Sequence, residues 1–346
     1  MEFGDRMDLD AFQKLLSVGI QYGASDIHFR PGDPPTYRVN GTLAPLKVDK
    51  LRPSDTRAIA LHVIRDPAVR ETIDSLREHD TSYSLPGVSR FRVNVYRQRG
   101  SLALVLRIIP AEIPTVENLG LPPVITEIAN TERGLILVTG ATGSGKSSTL
   151  AAMINYINQT RRVHIVTIED PIEYLYTNGK ASISQREIGI DTGDFTVALR
   201  AALRQDPDVI LVGEMRDALS MDIALKAAET GHVVFATVHT TDASKTIGRL
   251  LSVFPADEQQ MVRYRLADNL KATISQRLLP RADGQGRVVA AEVMIATAFI
   301  QDCIRDHTKT SSIPDVIQQG RLQYHMQSFD QHLTELYRAG YITLQW

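Results

Sequence analysis

Apolar and polar positions along the chain follow two different regimes. Over residues 8–23 the apolar side chains Phe12, Leu15, Leu16 and Ile20 recur at helical spacing, which predicts an amphipathic helix. Short strands are predicted next at 26–29, 36–39 and 43–45, with Asn40-Gly41 as a hairpin turn. A second helix is predicted over 54–64, with Ser54 placed to cap it. Residues 90–97 and 102–108 then read as paired strands around a Gln98-Arg99-Gly100 turn. Residues 1–109 are therefore expected to form a small α+β domain.

Past Pro123 the strands become continuous apolar runs, at 135–139, 163–168, 209–212 and 233–238. Helices are predicted between them at 146–158, 196–204 and 218–230. A strand that is apolar on both sides needs cover on both faces, so this alternation predicts a parallel sheet between helical layers. The stretch from 257 to the end reads as mostly helical. Four prolines fall between Ile109 and Pro123, which removes backbone donors and predicts an extended linker over 110–123. The expected fold is α/β, with the second domain spanning 124–346.

Charge and cysteine content narrow the partners. Thirty-eight basic against forty acidic residues leave a net charge of −2, so no bulk attraction draws the chain to nucleic acid or anionic lipid, and a nucleic-acid partner is not expected. The single cysteine, Cys303, excludes an internal disulfide and a zinc site built on several cysteines, and it leans toward a reducing compartment. Residues 1–10 are acidic and have no apolar core, so no secretory signal is expected there. No apolar run approaches the roughly 18 residues that span a bilayer. A cytoplasmic protein without direct membrane insertion is the expectation.

The strongest chemical signal is Gly140-Ala-Thr142-Gly143-Ser144-Gly145-Lys146-Ser147, a complete GxxxxGK[ST] pattern between an apolar strand and a helix. Its glycines let backbone N–H groups wrap a di- or triphosphate, and the helix N-terminus adds partial positive charge. Lys146 is placed for the β- and γ-phosphates, Ser147 for Mg²⁺, and Ser148 for the same phosphate shell. ATP and Mg²⁺ are the expected ligands.

Carboxylates follow at strand ends. The run 208–214 is an apolar strand that closes on Glu214, suited to hold Mg²⁺ or to orient the attacking water. Glu169 and Asp170 close another apolar strand, where a placed carboxylate is a candidate general base for water, with a solvated surface turn as the plain alternative. His239 ends the strand that His232 begins, which makes His239 a candidate sensor of the γ-phosphate. In 90–99, Arg90, Arg92, Asn94 and Tyr96 share one face, and Phe91, Val93 and Val95 the other. Three readings stay open for this basic strand: arginines that complete a neighbouring subunit's ATP site, nucleic-acid contact, or a protected sheet edge.

Together these motifs resemble the secretion-ATPase superfamily and, within it, the PilT family of type IV pilus retraction ATPases. Residues 167–173 resemble that family's Asp box, 230–241 its His box, and 203–217 its Walker B segment. The resemblance runs from 23–28 to 326–333. It implies a PAS-like domain followed by a RecA-like ATPase domain, assembled as a homo-hexamer that binds ATP between domains. By the same resemblance Arg92 and Arg97 reach the phosphates, Glu214 is an essential carboxylate, and an inner-membrane pilus platform protein is the docking partner. The single cysteine sets the chain apart from the extension motors, which carry a four-cysteine zinc module. In place of the family's AIRNLI motif the chain reads Phe299-Ile-Gln-Asp-Cys-Ile304, keeping Ile300 and Ile304.

Overall fold

The computed structural model describes residues 8–110 and 112–345. Most of the acidic start, one linker position and the last residue thus lie outside the described residues. Two compact units emerge, one of residues 1–112 with 173–175, the other of 113–172 with 176–346.

In the first unit the helix Leu9–Gln21 starts where the Asp8 carboxylate accepts the Ala11 N–H at 2.7 Å. Six strands follow: β1 (Ala24–Phe29), β2 (Thr36–Val39), β3 (Thr42–Pro45), β4 (Glu78–Leu85), β5 (Ser89–Gln98) and β6 (Ser101–Ile108). They form an antiparallel sheet in the order β3-β2-β1-β6-β5-β4. One face carries Ile27, Phe29, Phe91, Val93, Val95, Leu104 and Leu106, all fully buried. Phe12 and Leu16 of the first helix and Ile59, Ala60 and Val63 of the helix Pro53–Val63 cover that face. Burial of this kind contributes on the order of 1.5–3 kcal/mol per large side chain.

Two expectations change here. Ser54 does not cap its helix: Pro53 opens it, and the Asp55 carboxylate reaches back to the Arg52 N–H at 2.7 Å. β4 was not predicted, because its sequence Glu-His-Asp-Thr-Ser-Tyr-Ser-Leu is mostly polar. With β4 in place β5 is an interior strand, so the protected-edge reading of 90–99 falls away.

The second unit holds β7 (Gly134–Thr139), β8 (His164–Glu169), β9 (Ser182–Glu187), β10 (Val209–Val212), β11 (Val233–Val238), β12 (Leu270–Pro280) and β13 (Arg287–Ile295). Their order is β13-β12-β7-β11-β10-β8-β9, parallel throughout except for the antiparallel β13. Successive residues alternate between two cores. Leu135, Leu137, Val166, Ile168, Ile210 and Val212 enter one, while Ile136, Val138, Ile165, Leu211 and Phe235 enter the other. That is the two-sided cover the apolar runs demanded.

β12 and β13 correct the mostly helical reading of the C-terminal stretch, where the helices Gln259–Asn269 and Ala298–Arg305 flank this long hairpin. Residues 113–123 of the expected linker group with the second unit. Val116 and Leu121 are buried there in the same core as Leu150 and Ile154. Registers Ile168↔Val212, Val212↔Ala236 and Val238↔Thr139 bring the C-terminal ends of β8, β10, β11 and β7 to one edge.

Candidate active site

At that edge the chain leaves β7 into the loop Gly140–Gly145 and enters the helix Lys146–Thr160. Gly140 adopts φ 146°, and a Cβ there would lie 2.6 Å from the Gln276 carbonyl oxygen, so no larger residue fits. Gly145 ends the loop in the left-handed region, and no side chain caps the helix behind it. The first-turn amides and the positive end of the helix dipole therefore suit an anion.

Lys146 is buried, and its ammonium donates to the carbonyls of Gly140 and Ala141, each at 3.0 Å. These bonds hold the side chain under the loop. Thr142 and Gly143 are exposed at the crest, Ser144 is buried, and Ser147 and Ser148 sit half-buried on the first helical turn. One turn further in, Thr149 Oγ1 accepts from Gln276 Nε2 at 2.8 Å, which ties the helix to β12. The loop opens on a cleft of about 320 Å³, walled also by Thr241, Gln276, Arg277 and Arg287. Its size and paired arginines suit a polyanion.

Glu214 stands two residues past β10 and His239 one past β11, and the structure brings them together. Glu214 Oε2 accepts from the Arg216 guanidinium at 2.7 Å, and Oε1 lies 3.3 Å from His239 Nε2. Burial opposes the charge on Glu214, but the Arg216 hydrogen bond and the positive charge offered by His239 and Arg216 outweigh it. The carboxyl is held below its ordinary value. Glu214 is thus a carboxylate at neutral pH, beside the His239 imidazole. Thr237 Oγ1 donates to the Gly213 carbonyl at 2.5 Å and keeps the two strand ends aligned.

Glu169, the last residue of β8, reaches the same edge but is buried. Its Oε1 accepts from Thr167 Oγ1 at 2.6 Å and Gln185 Nε2 at 3.3 Å. His232 lies at the opposite end of β11, where its Nδ1 sits 2.9 Å from the Ala227 carbonyl. The hydroxyl of Ser147 and the carboxylate of Glu214 are oxygen donors of the kind Mg²⁺ takes, so the residues fit that ion by chemistry.

The chain matches the model of the family described as type II/IV secretion system protein over residues 7–341. It belongs to that family. The type IV pilus retraction ATPase PilT of Pseudomonas aeruginosa is 45% identical over 330 residues, 95% of each chain. The type IV pilus ATPase PilU of the same organism is 41% identical over 337 residues, 96% of this chain and 87% of that one. A crystal structure of the pilus retraction motor PilT with bound ADP superposes with a TM-score of 0.88 at 47% identity, covering 96% of this chain and 94% of that one. The expectation of a nucleotide-binding ATP hydrolase of this secretion family stands, as does the α/β fold with its preceding antiparallel-sheet unit.

The two candidate arginines of the first unit differ in their surroundings. Arg92 is exposed on the polar face of β5, with no ion pair among the described residues. Arg97 is engaged within its own unit: Nε and both terminal nitrogens donate to the carbonyls of Leu76, Gly100, Ile73 and Asp74 at 2.7–3.2 Å. Its donors fasten the 73–76 turn to the β5–β6 hairpin. Arg277, Arg287 and Gln276 escaped sequence reasoning because β12 and β13 were read as helix. A signal was present in Val288–Ile295, an apolar run after the turn-rich Ala-Asp-Gly-Gln-Gly of 282–286.

Proposed function

We propose that this family member is a homo-hexameric motor that turns ATP hydrolysis into domain motion and so disassembles type IV pili. The identity to the PilT retraction ATPase over 95% of both chains carries this reading. In it the loop Gly140–Gly145 with Lys146, Ser147 and Ser148 holds the nucleotide phosphates. Ser147 and Glu214 hold Mg²⁺, which when bound draws charge from the phosphates. Glu214 orients the attacking water, His239 responds to the γ-phosphate, and Glu169, engaged by Thr167 and Gln185, keeps the edge acidic. Of Arg92 and Arg97, Arg92 is the one proposed to reach a nucleotide in an assembled ring, since the Arg97 donors are committed.

No helix among the described residues is long and apolar enough to cross a membrane. The proposed place of work is the cytoplasmic face of the inner membrane at the pilus base, reached by docking on a platform protein. Near-neutral charge argues against nucleic acid as cargo.

The near-equal identity to PilU favours a second reading, an accessory pilus ATPase. The altered segment fits either. The retained Ile300 and Ile304 and the changed Cys303 are fully buried and keep the helix seated, whereas the changes at Phe299 and Asp302 are exposed and that at Gln301 is half-buried. Deleting the gene in its host and imaging pili separates the two: non-retracting, hyperpiliated cells support the first reading, and retraction that persists supports the second.

A further inference from the structure

A polar row crosses the second sheet near the phosphate loop. Thr139 of β7, Ser275 of β12 and Glu292 of β13 stand opposite one another in register. All three are buried. Thr139 Oγ1 donates to Ser275 Oγ at 3.0 Å, and Ser275 Oγ donates to Glu292 Oε1 at 3.4 Å. The same carboxylate oxygen accepts the Ala243 backbone N–H at 2.8 Å.

The two ends of this row matter. Thr139 immediately precedes Gly140. Ala243 opens the helix Ala243–Ser252, directly after the segment that carries His239 and Thr241. Thr241 walls the phosphate cleft, and Asp242 caps the same helix by accepting the Lys245 N–H at 2.8 Å. That cap already serves the helix locally, so its stability alone does not call for a second carboxylate.

Glu292 is the one acidic residue in the strand Arg287–Ile295. Burial pushes its carboxyl above the ordinary value; the Ala243 N–H offsets part of this, and the charge of Asp242 adds to it. An apolar residue would sit in such a core at lower free energy. The structure therefore holds a buried acid at a stability cost, bonded directly to the Ala243 amide and, through Ser275, to Thr139 at the start of the phosphate loop.

We propose that Glu292 is a positioning residue of the ATPase site, holding the 239–242 segment in register with the phosphate loop. The inference rests on the ATPase reading of that site. Glu292 touches no reacting atom; it fixes where His239 and Thr241 stand, and a shift of about 1 Å in such groups is enough to cost roughly 10²-fold in rate.

The test compares kcat and KM for Mg-ATP, ADP affinity and the thermal midpoint of the full chain with those of Glu292→Gln, Glu292→Leu and Ser275→Ala. Glu292→Gln keeps the acceptor oxygen, so its kcat is expected within about threefold of the parent. Glu292→Leu is expected to lower kcat about 10-fold or more, with KM and ADP affinity within about threefold. Ser275→Ala should show a smaller loss of the same kind, and it decides the matter if Glu292→Leu does not fold. Parental kcat in Glu292→Leu, or kcat and ADP affinity falling together, would overturn the proposal, as would a Glu292→Gln variant as defective as the Leu variant. A parent with no turnover would instead count against the ATPase reading.

Discussion

The two sheets solve the same burial problem in opposite ways, and they leave polar groups in different places. In the first unit a single face of the antiparallel sheet is apolar, so every second residue of β5 is left on a polar face. In the second unit both faces of the parallel sheet are covered, and polar function is pushed to the strand ends. Parallel order makes those ends coincide, so Gly140, Glu169, Glu214 and His239 arrive at one edge from four strands. Spacing along the chain did not bring them together. Topology did.

Variants can break that contrast. The largest effect within the edge should come from Glu214→Gln, which removes the carboxylate but keeps its shape. Turnover is expected to fall about 10²-fold or more while ADP binding, measured by calorimetry, stays near parental. Equal losses in both would mean that Glu214 shapes the loop instead of the reaction.

The first unit sharpens the comparison through its two arginines. Arg97→Ala strips donors from four carbonyls and should lower stability by roughly 1–3 kcal/mol, seen as a fall in the denaturant midpoint. Arg92→Ala touches no such network, so its midpoint should hold, while on the proposed reading the ATPase rate falls. If the two variants exchange these phenotypes, the division of labour along β5 is wrong.

A smaller effect concerns pH. Glu214 is held below its ordinary value of 4.5, so its charge, and any activity or stability that depends on it, is present above that value and lost as pH falls through the depressed one. Arg216→Ala removes the hydrogen bond that lowers it. The acid limb of the pH–rate profile should then move to higher pH, and an unmoved limb would show that another group sets it.

Much of this was legible in the sequence, for reasons that can be named. The apolar runs 135–139, 209–212 and 233–238 announced a doubly covered sheet because two-sided burial leaves few polar positions to confuse the pattern. The phosphate loop was legible because its chemistry demands contiguous residues. β4 and β9 were not, since Glu78–Leu85 and Ser182–Glu187 are largely polar edge strands whose pairing comes from the sheet. The long hairpin of β12 and β13 was hidden between helices, and Arg277, Arg287 and Glu292 were hidden with it. Arg97 shows a different limit. Its alternation puts it in phase with Phe91, Val93 and Val95, yet only the folded 73–76 turn reveals what its guanidinium holds.

The measurement that tests the account most directly is steady-state ATPase of the purified chain against Lys146→Ala, in the presence of Mg²⁺. The account predicts turnover by the parent and a loss of about 10²-fold or more in the variant, because removing the ammonium under the Gly140–Gly145 loop takes away the charge that meets the β- and γ-phosphates. A parent that hydrolyses no ATP, or a variant that hydrolyses it at the parental rate, would contradict it.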